Sequence, residues 1–536
     1  MSRSPDRSPD RSAKRAPERG ARAPRGATKP AAAGQLADIA RRLDQERGGR
    51  FVEGGPRVAM LYPSPYRAGM SSLGFQWVLQ LLRDHGISAE RAFLPDDVEL
   101  ARKHREGLPT YETRTPLGRF PVIGVSLAYE LELAGLVQAL QLAGVPPLRA
   151  DRGPQDPVII LGGPLTFSNP LPAAPFVDVI LMGEVEDHVA EVFEAALEQP
   201  YEAFLDRVAG LPGGFVPARH GEALPAVAKA SDLHLPARGH ILAPEAELSD
   251  MFLIEGERGC HRQCTFCVMR RSTNGGMRLV GADDVLSLVP EQARRVGLVG
   301  AAISDHPGLP SLLAKLIESG REVGVSSLRA DRVALKPEIA RLLRLGGYKT
   351  LTVASDAASQ RLRRSMSKGT TEAHLLTVAE RAREHDYKVV KVYMMLGVPD
   401  EGDEDIDELI AFTAKMAEIH PVSLGIAPFV PKRNTPMVND PFAGIKAVEA
   451  RLDRLNKGLR GLHGRAEVRP TSARWAWVEW RLAQGGSATG LAAIEAVSGG
   501  GSFAAWKGAL ERIDPERAAP APERPQGRQW AIASAP

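Results

Sequence analysis

The sequence predicts an α/β protein: a doubly wound parallel sheet, then a second series of six strand-and-helix units, then a helical C-terminal region. Two observations carry this expectation. Short apolar runs of strand length alternate with helical stretches twice along the chain, as parallel sheets with crossover helices require. All three cysteines of the 536 residues, Cys260, Cys264 and Cys267, sit together at the head of the second series. With 43% hydrophobic residues, the chain has material for about three domains with sizeable cores.

Residues 1–35 read as a disordered basic tail. The first 30 carry nine Lys/Arg against three Asp/Glu and the near-repeat Arg3-Ser4-Pro5-Asp6-Arg7-Ser8-Pro9-Asp10, which offers too little apolar surface to fold. The tail accounts for the formal net charge of +3, so the rest of the chain is net negative and nucleic acid is not an expected partner. Residues 36–195 form the first α/β domain. A helix over Ala37–Arg47 leads to strands at Val58–Tyr62, Val122–Leu127, Val158–Leu161 and Val177–Met182, with helices at Gly74–Leu82 and Ala134–Leu142. Such sheets bind ligands at the carboxyl ends of their strands, here marked by Gly162-Gly163 and Gly183-Glu184.

Residues 196–250 read as a bridging segment, with turn residues at Gly210, Pro212, Gly213, Gly214 and Pro217 and no strong periodicity. Over 251–440, strands are predicted from Phe252 and at Val296–Ile303, Val323–Leu328, Thr350–Ala354, Val389–Leu396 and Ser423–Val430. Residues 441–513 read as helical, with one helix at Ala447–Leu459 and a second carrying Trp475, Trp477 and Trp480 as docking contacts. The Pro/Ala-rich 514–536 read as a disordered tail. No apolar run approaches the roughly 20 residues of a membrane span, and the N-terminus lacks the apolar core of a signal peptide. Three clustered cysteines leave no disulfide framework, so a reducing cytoplasm is the expected compartment.

The C-x3-C-x2-C spacing follows the apolar run Met251-Phe252-Leu253-Ile254 and brings three thiolates to one soft metal centre from a loop leaving a strand. A [4Fe-4S] cluster takes four cysteines, so three would leave one iron open to a bidentate small molecule. A zinc site completed by His261 or a distant histidine, or a redox-sensing thiol cluster, are the other readings.

The segment Cys260-His261-Arg262-Gln263-Cys264-Thr265-Phe266-Cys267 resembles the cluster loop of the radical S-adenosylmethionine (SAM) enzymes, with Phe266 in the aromatic position. The resemblance implies that the second series is a partial (β/α)6 barrel, with a [4Fe-4S] cluster on Cys260, Cys264 and Cys267 and SAM as its ligand. It implies an electron donor such as flavodoxin or ferredoxin and a substrate the sequence does not reveal. SAM-binding candidates follow the barrel strands. Asp305 would take the methionyl ammonium, in place of the family's Gly-Gly-Glu-like motif. Arg329 would bind the ribose, and Asp356 with Arg361 would clamp the methionyl end. Gly397, Phe429 and Val430 would pack on the adenine. No residue is singled out as catalytic.

The first domain resembles the cobalamin-binding type, which implies a corrinoid nucleotide pocket at Ser126, Gly162 and Gly163. The loop Pro63–Gly69 lacks the Asp-x-His-x-x-Gly that supplies a histidine to cobalt, and His85 is misplaced for that role. The expected function is therefore radical chemistry started by reductive SAM cleavage, with cobalamin-dependent methyl transfer as one form of it. The alternative is a non-catalytic iron-sulfur module that senses redox state or binds RNA.

Overall fold

The computed structural model describes residues 34–269, 276–326, 328–462 and 464–513. Both expected tails, 1–35 and 514–536, lie outside these residues apart from residues 34 and 35. The first sheet contains β1 (Arg57–Pro65), β2 (Ser88–Leu94), β3 (Val122–Ser126), β4 (Val158–Gly162), β5 (Val179–Leu181) and β6 (Gly214–Phe215). Its order is β2-β1-β3-β4-β5-β6, parallel except for β6. The chain reverses direction across the sheet between β1 and β3, which makes that crevice the topological switch point.

Successive β1 residues divide between two cores, as a sheet covered on both faces requires. Ala59 and Leu61 pack with Leu136, Val137 and Leu140 of the helix Leu133–Leu142. Val58, Met60 and Tyr62 pack with Phe75 and Leu82 of Leu73–Asp84 and Phe193 of Val189–Glu198.

Strand β2 was not foreseen, because Glu90 and Arg91 interrupt its apolar pattern. Both are buried and paired. Arg91 forms bidentate hydrogen bonds to Glu46 at 2.7 and 2.8 Å and bonds Glu112 at 2.7 Å, and Arg83 reaches the same Glu112 at 2.6 Å. Glu90 accepts from Arg57, Thr110 and Thr113. The segment expected to be a plain bridge also contributes to this unit: helix Tyr201–Ala209 packs through Phe204 and Leu205, and β6 extends the sheet.

The second unit has β7 (Met251–Glu255), β8 (Glu257–Cys260), β9 (Gly276–Leu279), β10 (Arg295–Val299), β11 (Glu322–Val325), β12 (Thr350–Ala354), β13 (Val389–Leu396), β14 (Val422–Pro428) and β15 (Ala466–Pro470). Strands β11-β10-β7 and β12-β13-β14-β15 form two parallel sheets, joined by a bridge between Arg329 and Ala354. No pairing joins β7 to β15 among the described residues, so the barrel is open there. Its six leading strands are those expected. The seventh, β15, lies inside the region read as helical, where charged Glu467 and Arg469 conceal the strand pattern.

The C-terminal helices turn back onto the first domain. Val478, Leu482, Ala496, Trp506 and Leu510 join the core beneath Leu133–Leu142. Trp477 packs against that core, and Trp480 stacks on Phe442. No helix among the described residues is long and apolar enough to cross a membrane.

Replacing Arg91 by Met strips the enclosed carboxylate of Glu46 of its cation and leaves Glu112 with Arg83 alone. We expect Arg91→Met to destabilise the chain by about 3–5 kcal/mol in urea unfolding. An unchanged midpoint would show that the network contributes nothing to stability.

Candidate active site

Strand β7 runs almost directly into β8, which carries Cys260 at its end and pairs antiparallel with β9. Gly259 adopts φ +93°, a conformation glycine takes without strain, just before the first ligand candidate. Cys264 is buried, whereas Cys260 and Cys267 are half-buried. The next turn of the loop is tied to the segment after helix Gln360–Ser365: the Thr265 N–H donates to the Met366 carbonyl at 3.1 Å, and the Cys264 Sγ lies 3.9 Å from the Ser367 carbonyl. Phe266 packs against the barrel core.

Two sets of arginine–carboxylate pairs hold this loop. Inside the barrel, Arg262 grips Asp305 with both ends of its guanidinium, at 2.8 and 2.7 Å, and Arg332 donates to Asp305 at 2.6 Å. From the first domain, the loop after β5 presents Glu184 and Glu186. Arg258 of β8 donates to Glu186 at 2.7 Å, and Arg278 of β9 pairs with Glu184. The Gly183-Glu184-Val185-Glu186 run, read from sequence as part of a cofactor-binding edge, therefore docks the cluster hairpin.

These pairs decide the electrostatics. Burial alone would raise the Asp305 carboxyl, but Arg262 and Arg332 outweigh it and hold it at about 2. Burial pushes the Cys260 and Cys267 thiols up, and the charges of neighbouring cysteines add to this. Metal loading must therefore displace protons. Among the described residues no three His, Cys, Asp or Glu side chains converge on a single-ion site. Three thiols on one pinned loop, each within electrostatic reach of another, suit a cluster that spreads its ligands over several irons.

The remaining candidates are brought together only in part. Asp305 is already saturated by arginines, so it has no capacity left for an ammonium. The expected Asp356–Arg361 clamp does not form. Asp356, at φ +64°, pairs with Lys368, and Arg361 turns outward to Asp405 at 2.5 Å and the Asp400 carbonyl at 2.8 Å. Arg361 sits at the start of a helix facing the acidic N-terminus of Asp403–Ile419, where opposite charge draws it away from the barrel mouth. Lys368, which the sequence reading passed over, is the cation beside Asp356, and the Asp356 charge reaches the Cys267 sulfur.

Arg329 lies on the barrel wall, its N–H donating to Ser304 Oγ at 3.1 Å and its guanidinium to Asp331 at 3.2 Å. The Gly397 N–H, at the end of β13, is taken by Glu401 at 2.7 Å. Phe429 is buried in the barrel core and Val430 is half-buried beside it. The inward face of β13 carries Lys391 and Tyr393, hydrogen-bonded at 2.8 Å, with Tyr393 47% exposed to the open barrel.

At the carboxyl edge of the first sheet, Ser126 and Gly162 pair across β3 and β4. Gly163, at φ +101°, is committed to the chain's own packing: a Cβ there would lie 2.7 Å from the Leu127 carbonyl oxygen. The open space is at the switch point instead, a cavity of about 590 Å³ lined by Tyr62, Ser64, Tyr129, Glu132, Glu247 and other residues, none of them histidine. His85 is exposed at the opposite edge, where its ring bonds the Leu81 carbonyl. Lys432, on the loop after β14, reaches Glu130 after β3 and Glu479 of the C-terminal helix Ala473–Gln484, both at 2.7 Å. The carboxyl edges of the two sheets are thereby fastened to each other.

Two family models match the chain, "Radical SAM proteins, N-terminal" over residues 74–217 and "Radical SAM superfamily" over residues 254–413, together more than half of it. The chain belongs to the radical SAM superfamily. It is an enzyme of that superfamily, whose cofactors are a [4Fe-4S] cluster and SAM, and it requires an electron donor and a substrate. A Methanocaldococcus jannaschii protein named "Uncharacterized protein MJ0966" is 28% identical over 390 residues, 70% of this chain and 78% of that protein. Among solved structures, the radical SAM methyltransferase TsrM from Kitasatospora setae shares 15% identity at a TM-score of 0.49, over 72% of this chain and 76% of that one. The cobalamin-dependent radical SAM enzyme OxsB shares 13% at 0.48, over 75% and 56%.

Asp305→Asn removes the charge that grips Arg262. We expect anaerobic reconstitution of this variant to load several-fold less iron and sulfide, with far-ultraviolet circular dichroism unchanged; full loading would assign the anchoring to Glu184 and Glu186 alone. Because Asp305 in the folded chain sits below the ordinary carboxylate value of about 3.9, its contribution is complete above that pH and is lost only as pH falls through about 2. Cluster release on acidification to about pH 5 then has to originate at the thiolates, and iron content followed across an acid titration of wild type and Asp305→Asn checks this.

Proposed function

We propose that this radical SAM enzyme holds its cluster on Cys260, Cys264 and Cys267 and binds SAM at the iron they leave open. The observation that carries the assignment is that the three cysteines lie on one loop at the carboxyl end of the barrel strands, tied down by Arg262–Asp305. A [4Fe-4S] cluster held by these three cysteines would supply, once reduced, the one-electron chemistry that opens SAM and starts the reaction on substrate. The chain's own residues prepare that event. Arg262 and Asp305 orient the loop, Lys368 and Asp356 place a paired charge beside Cys267, and Lys391 and Tyr393 give the open barrel a polar wall. Flavodoxin or ferredoxin would serve as donor in a reducing cytosol.

The switch-point cavity extends the proposal to cobalamin in the first domain, where a bound corrinoid would supply methyl transfer. Support comes from the β2-β1-β3-β4-β5 order and from a cavity at the position where such sheets bind ligands. Arg433 and Asn434, next to Lys432, bond the Gln484 and Phe167 carbonyls and help hold the two edges together. The non-catalytic redox-sensing or RNA-binding reading has no feature of the described residues in its favour.

Anaerobically reconstituted protein given dithionite and SAM is expected to release 5′-deoxyadenosine, and Cys264→Ala to abolish this. Stoichiometric zinc without labile sulfide would refute the cluster assignment. Cobalamin retained in dialysis should show a Co(II) electron paramagnetic resonance spectrum without nitrogen splitting from the protein, because no histidine lines the cavity. Splitting from a protein imidazole would mean that the corrinoid sits elsewhere.

A further inference from the structure

With Asp305 saturated by Arg262 and Arg332, the barrel mouth needs another anion if it is to receive the ammonium of SAM. Glu257, on β8 three residues before Cys260, has the required features. Its side chain is fully enclosed, and one oxygen accepts from the Ala302 N–H at 2.6 Å. Its other oxygen, Oε2, has no partner among the described residues. The charged groups acting on it, Glu255 and Asp305, are both anionic.

The neighbouring cations are engaged elsewhere, Arg258 with Glu255 and Glu186 and Arg262 with Asp305. A carboxylate enclosed without a cation costs several kcal/mol, and burial with these like charges pushes Glu257 up to about 7. The chain nonetheless makes room for it. Gly300 follows β10 without a side chain, and a Cβ there would lie 2.3 Å from the bonded oxygen of Glu257. The charge of Glu257 also reaches the Cys260 sulfur, which places it beside the cluster loop.

We propose that Glu257 is the acceptor of the SAM ammonium, its unpartnered oxygen completing an ion pair that the chain leaves open next to the cluster. This rests on the reading of the site as one for a cluster and SAM. The ammonium is then the missing cation, and its arrival relieves the cost of the enclosed carboxylate. The free energy so recovered favours the amino acid end of SAM over a deaminated analogue.

The test is equilibrium binding of SAM, and of the analogue lacking its α-amino group, to anaerobically reconstituted full-length protein. Glu257→Gln is expected to weaken SAM binding about ten- to a hundredfold, to leave binding of the analogue within about twofold, and to keep the iron and sulfide content of wild type. An equal loss for both ligands, or none for SAM, would overturn the assignment. An anaerobic crystal structure of wild type with SAM decides independently of any variant: the ammonium nitrogen is expected within about 3.2 Å of a Glu257 oxygen, and an ammonium held by another group overturns the proposal. Wild-type protein that assembles a cluster yet binds neither ligand would instead refute the SAM reading beneath it.

Discussion

A loop that offers three metal ligands within a few residues is useful only if its backbone is held still, and ordering each residue costs about 1–2 kcal/mol of conformational entropy. Here the holding is done by enclosed arginine–carboxylate pairs. Arg262 and Asp305 meet through two parallel hydrogen bonds, the geometry in which a guanidinium binds a carboxylate most strongly. Enclosed ions are costly, so the pair is stable only because both Asp305 oxygens are occupied and Arg332 adds a third bond. The placement of the cysteine loop at the mouth of the barrel follows from this anchor.

The first domain is held to the same element. Arg258 and Arg278 stand on the two strands of the β8–β9 hairpin and reach Glu186 and Glu184 after β5. On the far side, Lys432 ties the exit of β14 to the exit of β3 and to the C-terminal helix. Two clasps set the carboxyl edges of both sheets face to face. Ligands bind at such edges in each fold considered alone. The C-terminal helices serve the same arrangement, since Trp506 and Leu510 are buried in the first domain's core while Glu479 meets the barrel's Lys432.

What the sequence disclosed was what depends on local pattern. The apolar runs of β1, β3 and β4 were legible because they are buried on both faces, those of β12 and β13 because every second residue is buried, and the cysteine loop because its ligands are adjacent in the chain. Strand β2 was hidden by Glu90 and Arg91, whose partners Arg57, Glu46 and Glu112 are distant in sequence. Strand β15 was hidden by charges on an outer strand. The same limit explains the site. That Asp305 belongs to Arg262, and Arg361 to Asp405, is a matter of long-range pairing that no spacing encodes. Lys368 could have been noticed as a lone lysine in Ser367-Lys368-Gly369 after a polar helix, but nothing local gave it Asp356 as a partner.

Asp305 and Glu257 show how environment divides labour between two carboxylates near one loop. Both side chains are enclosed, and Glu257 feels the charge of Asp305. Asp305 collects the arginines and is held at about 2, which makes it a permanent anion with no capacity left for a ligand. Glu257 receives a single backbone N–H and rises to about 7. Both are carboxylates, so side-chain chemistry does not separate them. The placement of cations separates them, because the arginines that could neutralise Glu257 are spent on anchoring the cluster loop. The pairs that fix the cysteine loop thus also leave the Glu257 carboxyl beside it without a cation, so one arrangement of ion pairs accounts both for the anchoring of the loop and for the unpartnered oxygen next to it.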